Sequence, residues 1–128
     1  MESYTLVVLH KTAESFGYYD VETGSQTAEI KTRPFPHEIC LSPDRKKIFI
    51  AEMGVRGIES EGAGGHTVTV FDTKTRALLN TIDTGKYDRP HGIATHENGH
   101  LFVTSESTKY LLVYDLATHG GFDPTHRA

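Results

Sequence analysis

Residues 36–52 read PHEICLSPDRKKIFIAE, and residues 90–105 read PHGIATHENGHLFVTS. Laid against each other, His37 falls on His91, Ile39 on Ile93, Asp44 on Asn98 and Phe49 on Phe102, with one residue deleted at the turn. Each copy holds two short apolar runs around a turn cluster, Ser42-Pro43-Asp44 in the first and Glu97-Asn98-Gly99 in the second. Apolar residues at period two, interrupted by turn chemistry, predict paired β-strands.

A second motif recurs three times, as Tyr19-Asp20-x-x-Thr23, Phe71-Asp72-x-x-Thr75 and Tyr114-Asp115-x-x-Thr118. Asp72 and Asp115 are 43 residues apart, whereas Asp20 and Asp72 are 52 apart. The difference is local. His10 to Asp20 and Ser105 to Asp115 each span ten residues, and Glu52 to Asp72 spans twenty. An insertion of ten residues therefore lies within MGVRGIESEGAGGH, residues 53–66. Without it the period is near 40–45 residues with four strands per unit, which is the signature of a β-propeller blade.

Ten strand-like runs fit this plan: residues 4–9, 16–19, 27–31, 38–41, 47–51, 67–71, 78–82, 92–94, 101–104 and 110–114. With blade strands lettered A to D from the ring axis outward, the chain reads B-C-D, A-B-C-D, A-B-C. The expected fold class is all-β, a β-propeller of four-stranded antiparallel blades with about two and a half blades in an incomplete ring. Blade 1 is expected as a partial unit over 1–32, blade 2 over 33–85 with the inserted loop 53–66, blade 3 as a partial unit over 86–119, and a tail over 120–128.

Composition narrows the function classes. The chain has 128 residues and a formal charge of −4, which disfavours a nucleic-acid surface or a basic membrane anchor. The longest apolar run, Leu6-Val7-Val8-Leu9, is far too short to span a bilayer. No basic start or apolar leader follows Met1, so a cytoplasmic protein is expected, or a periplasmic or secreted one if a leader precedes this chain. Cys40 is the single cysteine, so no internal disulfide and no cysteine metal cluster can form. Packing is its expected role.

Strand parity gathers the polar residues at one mouth of the ring. His37 and His91 fall at starts of A strands, and His10, Glu52 and Ser105 at ends of B strands, with Lys11 and Glu106 beside them. Arg33 and Arg89 fall in D-to-A loops, and the 53–66 insertion overhangs the same face. Such a mouth suits a small polar or anionic molecule. Arg33 and Arg89 can hold a carboxylate or phosphate bidentately. His37 or His91 can serve as a general base, and Glu38, Glu52 and Glu106 as acid/base groups or as oxygen ligands to a divalent cation. His10 and Ser105 complete the binding candidates.

Plainer roles stand beside these. A Pro-His pair at one blade position serves equally well as a recurring turn element, with imidazole bonding backbone. Loop arginines are commonly solvated, and Glu52 and Glu106 read simply as polar strand ends. The Asp20, Asp72 and Asp115 set predicts Asx-type turns on the opposite face. The remaining histidines scatter without zinc-ligand spacing, and no P-loop, dinucleotide fingerprint or nucleophile elbow occurs. The glycines of residues 62–65 are expected to make the insertion flexible.

The pattern P-H-x-I, S-P-D, I-F-I-A-E, T-V-T-V-F-D-T-x-T and I-x-T-G resembles the YVTN-type repeat, the family that includes YncE-like proteins and is related to lactonase-type propellers. The resemblance covers nearly the whole chain before Gly120. It implies a ring of six or seven blades. Three functions remain open: binding of a ligand or partner through one face, a lactonase-like hydrolase opening a cyclic ester with His37, His91, Glu52 and Glu106 as its candidate catalytic residues, and a non-catalytic interaction module assembling with a protein partner or further blades.

Overall fold

The computed structural model describes residues 4–117. Ten strands run in order: β1 Thr5–His10, β2 Ser15–Asp20, β3 Gln26–Lys31, β4 Pro36–Leu41, β5 Lys47–Glu52, β6 Thr67–Asp72, β7 Leu78–Asp83, β8 Pro90–His96, β9 His100–Ser105 and β10 Tyr110–Asp115. They form three antiparallel sheets, β1-β2-β3, β4-β5-β6-β7 and β8-β9-β10, each a meander of sequential strands. No helix occurs among the described residues. The three sheets do not close a ring.

The middle sheet packs on both faces, and its sequence shows why. In β5, alternate side chains point to opposite sides. Ile48 and Ile50 join Phe16, Tyr18 and Phe71 in a cluster against the first sheet. Phe49 and Ala51 join Val68, Val70, Leu101, Val103, Leu112 and Tyr114 in a cluster against the third. A strand with two buried faces reads as a continuous apolar run, here IFIA, rather than as an alternating one. Ile48, Phe49 and Ile50 are fully buried, and each stabilises the fold by roughly 1.5–3 kcal/mol relative to exposure. Cys40 packs against the second cluster, and burial with Glu38 nearby pushes its thiol up to about 12.

The repeated aspartates make the turns expected of them. Asp20 Oδ1 accepts from the backbone N–H of Glu22 at 2.8 Å and of Thr23 at 3.0 Å. Asp72 Oδ1 accepts from Lys74 at 2.9 Å and Thr75 at 2.7 Å, and Asp115 Oδ1 from Ala117 at 2.8 Å. These carboxylates are occupied by their own turns.

Candidate functional site

Both Pro-His dipeptides sit at an irregularity that repeats from one sheet to the next. The residue before each proline has left-handed backbone, Phe35 at φ 52° and Arg89 at φ 55°. Each strand then shifts register, β4 between Pro36 and Glu38 and β8 between Pro90 and Ile93. A β-bulge breaks the strict alternation of side chains and re-aims them. His37 and Glu38, consecutive in the chain, thereby converge: His37 Nδ1 lies 3.9 Å from Glu38 Oε2. His91 comes in from the neighbouring strand, its Nδ1 3.7 Å from the same oxygen. The imidazoles stack with centroids 3.5 Å apart and planes at 36°.

A cleft of about 450 Å³ opens over this group, lined by Lys11, His37, Met53, His91, Thr104 and Glu106 together with Gly57 and Ile58 of the insertion. All three sheets or their loops contribute. Two of its polar atoms, His37 Nδ1 and Glu106 Oε2, are buried without a hydrogen-bond partner, a costly state for a cleft with nothing to bind. Desolvation, with His91 and Lys11 adding to it, pushes His37 down to about 4, so its ring is neutral at pH 7.

Arg33 and Glu52 lie elsewhere. They line a second pocket of about 250 Å³ with His66 and Thr67. The Glu52 side chain is buried and fully engaged. Its Oε1 accepts from the Thr67 and Thr69 hydroxyls, and its Oε2 accepts from the Arg33 backbone N–H at 2.9 Å. Burial raises its pKa against the opposing pull of those donors. The expected grouping of Glu52 with the histidines is thus divided by the structure between two pockets.

Arg89 is buried and points into the insertion. Nη1 donates to the Ile58 carbonyl at 3.0 Å, and Nη2 to those of Ser60 at 2.5 Å and Gly62 at 2.9 Å. Three of its five N–H groups are spent on backbone carbonyls and Nε is buried, so the guanidinium is not free to clamp an anion as a fork. Three glycines of the insertion, Gly54, Gly64 and Gly65, are held by close contact, whereas Gly57 and Gly62 stand in open space. A Cβ on Gly64 would meet Arg89 Cγ at 2.6 Å, and one on Gly65 would meet the Glu52 carbonyl at 2.8 Å.

His10 and Ser105 have local partners too. His10 joins Ser15 Oγ at 3.0 Å and Tyr19 Oη at 2.6 Å on the outer face of the first sheet, and Ser15 donates on to Glu29 at 2.8 Å. Ser105 Oγ donates to the Asp88 carbonyl at 2.6 Å. Of the residues singled out from sequence, the structure brings Lys11, His37, His91 and Glu106 into one cleft, with Glu38 against both histidines. Thr104 and Gly92 escaped that reading. Gly92 had a signal, since it replaces Glu38 in the aligned repeats. A Cβ there would stand 3.1 Å from Thr104 Oγ1 and 3.3 Å from Glu38 Oε2.

No family model matches the sequence, and no curated protein matches it. The fold does match solved structures. It is similar to hydrazine synthase of Kuenenia stuttgartiensis at TM-score 0.75 and 20% identity, over 96% of this chain and 32% of that one. It is similar to the dihydro-heme d1 dehydrogenase NirN at TM-score 0.71 and 15% identity, over 97% of this chain and 25% of that one. A 6-phosphogluconolactonase-like protein of Bacteroides uniformis matches at TM-score 0.68 and 16% identity, over 95% of this chain and 36% of that one. All three have β-propeller-type folds. The fold class is therefore propeller-like, and the chain spans between a quarter and a little over a third of the length of these structures.

Proposed function

We propose that this chain is part of a propeller of the YVTN type and binds a small polar or anionic molecule in the cleft over His37 and His91. The observation that carries this reading is the pair of buried, unpartnered polar atoms, His37 Nδ1 and Glu106 Oε2, in a cleft built from all three sheets or their loops. A ligand with hydroxyl donors and a carboxylate would satisfy Glu106 and meet the Lys11 ammonium at the rim. Titration calorimetry of the 128-residue chain with gluconate, 6-phosphogluconate and citrate tests it. Saturable binding that falls about tenfold or more in Lys11→Ala is expected, since a lost charge-assisted contact is worth roughly 1.5–3 kcal/mol. No saturation with any of the three, or loss only in Arg33→Ala at the second pocket, would overturn it.

A hydrolase reading is favoured by the presence of an imidazole and a carboxylate in one cleft and by the lactonase-like fold neighbour. With Glu52 committed to its own hydrogen bonds, His91 as base and Glu106 as its acid/base partner are the groups left to act. Opening of δ-gluconolactone that disappears in His91→Ala, with the fold kept, is its expected result. The interaction reading rests on the outer face of the first sheet, where Leu6 is 55% exposed and no described sheet covers it. Light scattering that finds only monomer would count against assembly with further blades.

A further inference from the structure

The convergence of His37, Glu38 and His91 has a more specific chemistry than a polar cleft. Their closest approaches, 3.7 and 3.9 Å to one oxygen, are too long for hydrogen bonds, so the three groups meet without bonding one another. One donor atom from each lies within 4.8 Å of the other two. Donors held about 2.1 Å from a tetrahedral ion stand roughly 3.4 Å apart, so the two contacts to the carboxylate need to close by a few tenths of an ångström and the widest pair by up to about 1.4 Å.

We propose that His37, Glu38 and His91 bind a divalent late first-row cation of the Zn²⁺ class. The inference rests on the reading of the cleft as a binding site and gives it an inorganic occupant. Two imidazoles and one carboxylate suit Zn²⁺ or its neighbours, whereas Mg²⁺ and Ca²⁺ take oxygen ligands. Three protein donors leave a coordination position open. Two of the three donors, His37 and His91, also line the cleft, where Thr104, Glu106 and Lys11 would be at hand to orient a water or an organic anion.

Two independent features support the site. His37 Nδ1 is buried with no hydrogen-bond partner, which is the state of a ring nitrogen awaiting a ligand. The other is the mismatch between the repeats. Where β4 has Glu38, the aligned position of β8 is Gly92, and the Glu38 carboxylate lies across it. A second side chain there would crowd the single carboxylate that sits against both rings. The site is thus assembled from two bulges on neighbouring strands. Sequence spacing alone, with the histidines 54 positions apart, gives no ligand signature.

Chelator-stripped protein is titrated with Co²⁺, followed by its visible absorption, and with Zn²⁺ by calorimetry. One ion per chain is expected. Loss of one ligand in His91→Ala or Glu38→Gln should weaken binding by about 100-fold, and loss of a supporting group costs about 10–100-fold in metal sites. Gly92→Ala, which keeps every donor, should fall in that second range. His66→Ala, at a surface histidine paired with Asp83, should leave affinity unchanged. Glu38 is about half exposed, so Glu38→Gln keeps the test valid even if a histidine variant fails to fold. No Co²⁺ binding, or equal binding in the His37→Ala/His91→Ala double variant, would overturn the proposal. Failed metal binding with intact binding of an organic anion would sink the cation and keep the cleft. Metal binding without any organic ligand would uphold the cation alone.

Discussion

The Glu52 carboxylate accepts a hydrogen bond from the backbone N–H of Arg33 at 2.9 Å, tying the end of β5 to the loop that leads into β4. Its other oxygen takes the hydroxyls of Thr67 and Thr69 on β6. One buried side chain therefore fixes a loop and a neighbouring strand. Glu52→Ala should destabilise the protein by about 3 kcal/mol, from orphaned donors and a cavity, read as a lower denaturant midpoint.

The same residue gives a pH signature. Burial raises the Glu52 pKa above its ordinary 4.5, so the folded state keeps a proton that the unfolded state has already lost. Stability from this group is full below 4.5 and is lost as pH rises through the raised value. The stability difference between the wild type and Glu52→Gln should favour the wild type most at acid pH and shift against it toward neutrality. A difference that moves the other way in urea titrations from pH 4 to 8 would refute this.

Arg89→Ala should free the insertion while leaving the sheets in place. Three carbonyls lose charge-assisted donors, at a cost of about 2–3 kcal/mol in total after water replaces them. Trypsin should then cut after the exposed Arg56 at least about tenfold faster, since cleavage tracks the open population. Arg89→Lys should not rescue, because a single ammonium cannot reach three separated acceptors as the planar fork does.

Glycine scanning of the insertion should split cleanly. Gly54 has φ 75°, and a Cβ there would stand 2.1 Å from Gly65 N. Gly54→Ala should cost about 3 kcal/mol or more from overpacking and left-handed strain combined. Gly57→Ala, with no atom within 4 Å of its Cβ position, should stay within about 0.5 kcal/mol of wild type. Equal thermal midpoints for the two variants would contradict the packing described.

On the outer face of the first sheet, Gly17 lies beneath the hydrogen-bonded rings of His10 and Tyr19, and a Cβ would stand 2.8 Å from each ring. Gly17→Ala should break that bond and cost about 1–2 kcal/mol. The imidazole resonances of His10 should shift in the variant even where the fold is kept.

The strand plan was legible in sequence because period-two alternation and Asp-centred turns are local signals. β5, β6 and β10 fall within one residue of expectation. The strands that carry the site run longer than alternation predicts: β8 spans Pro90–His96, whereas the pattern alone predicts residues 92–94. The reason is the bulge, which joins Pro90 and His91 to the ladder while masking the alternation. Side-chain commitments were legible only in part. Arg89 looked like a twin of Arg33 because both lie in D-to-A loops, yet the left-handed residue before Pro36 is Phe35, so Phe35 is its structural counterpart. Glu52 and Glu106 both close B strands by sequence. The hydroxyls of Thr67 and Thr69, brought in by pairing β5 with β6, and the Arg33 backbone N–H separate a committed carboxylate from one facing the cleft.

Glu52 and Thr67 face each other across the last rung of β5 and β6, so the excursion between them leaves and returns at one point. A loop closed by its own hairpin carries little thermodynamic penalty for length, with each doubling adding about 0.6 kcal/mol of closure entropy. The strand register is thereby set outside the excursion, while Gly54, Gly64 and Gly65 pack its base and leave the tip around Gly57 open to change. That junction is a port in the scaffold through which the wall of the cleft can be rewritten by evolution or by design without moving a single strand register.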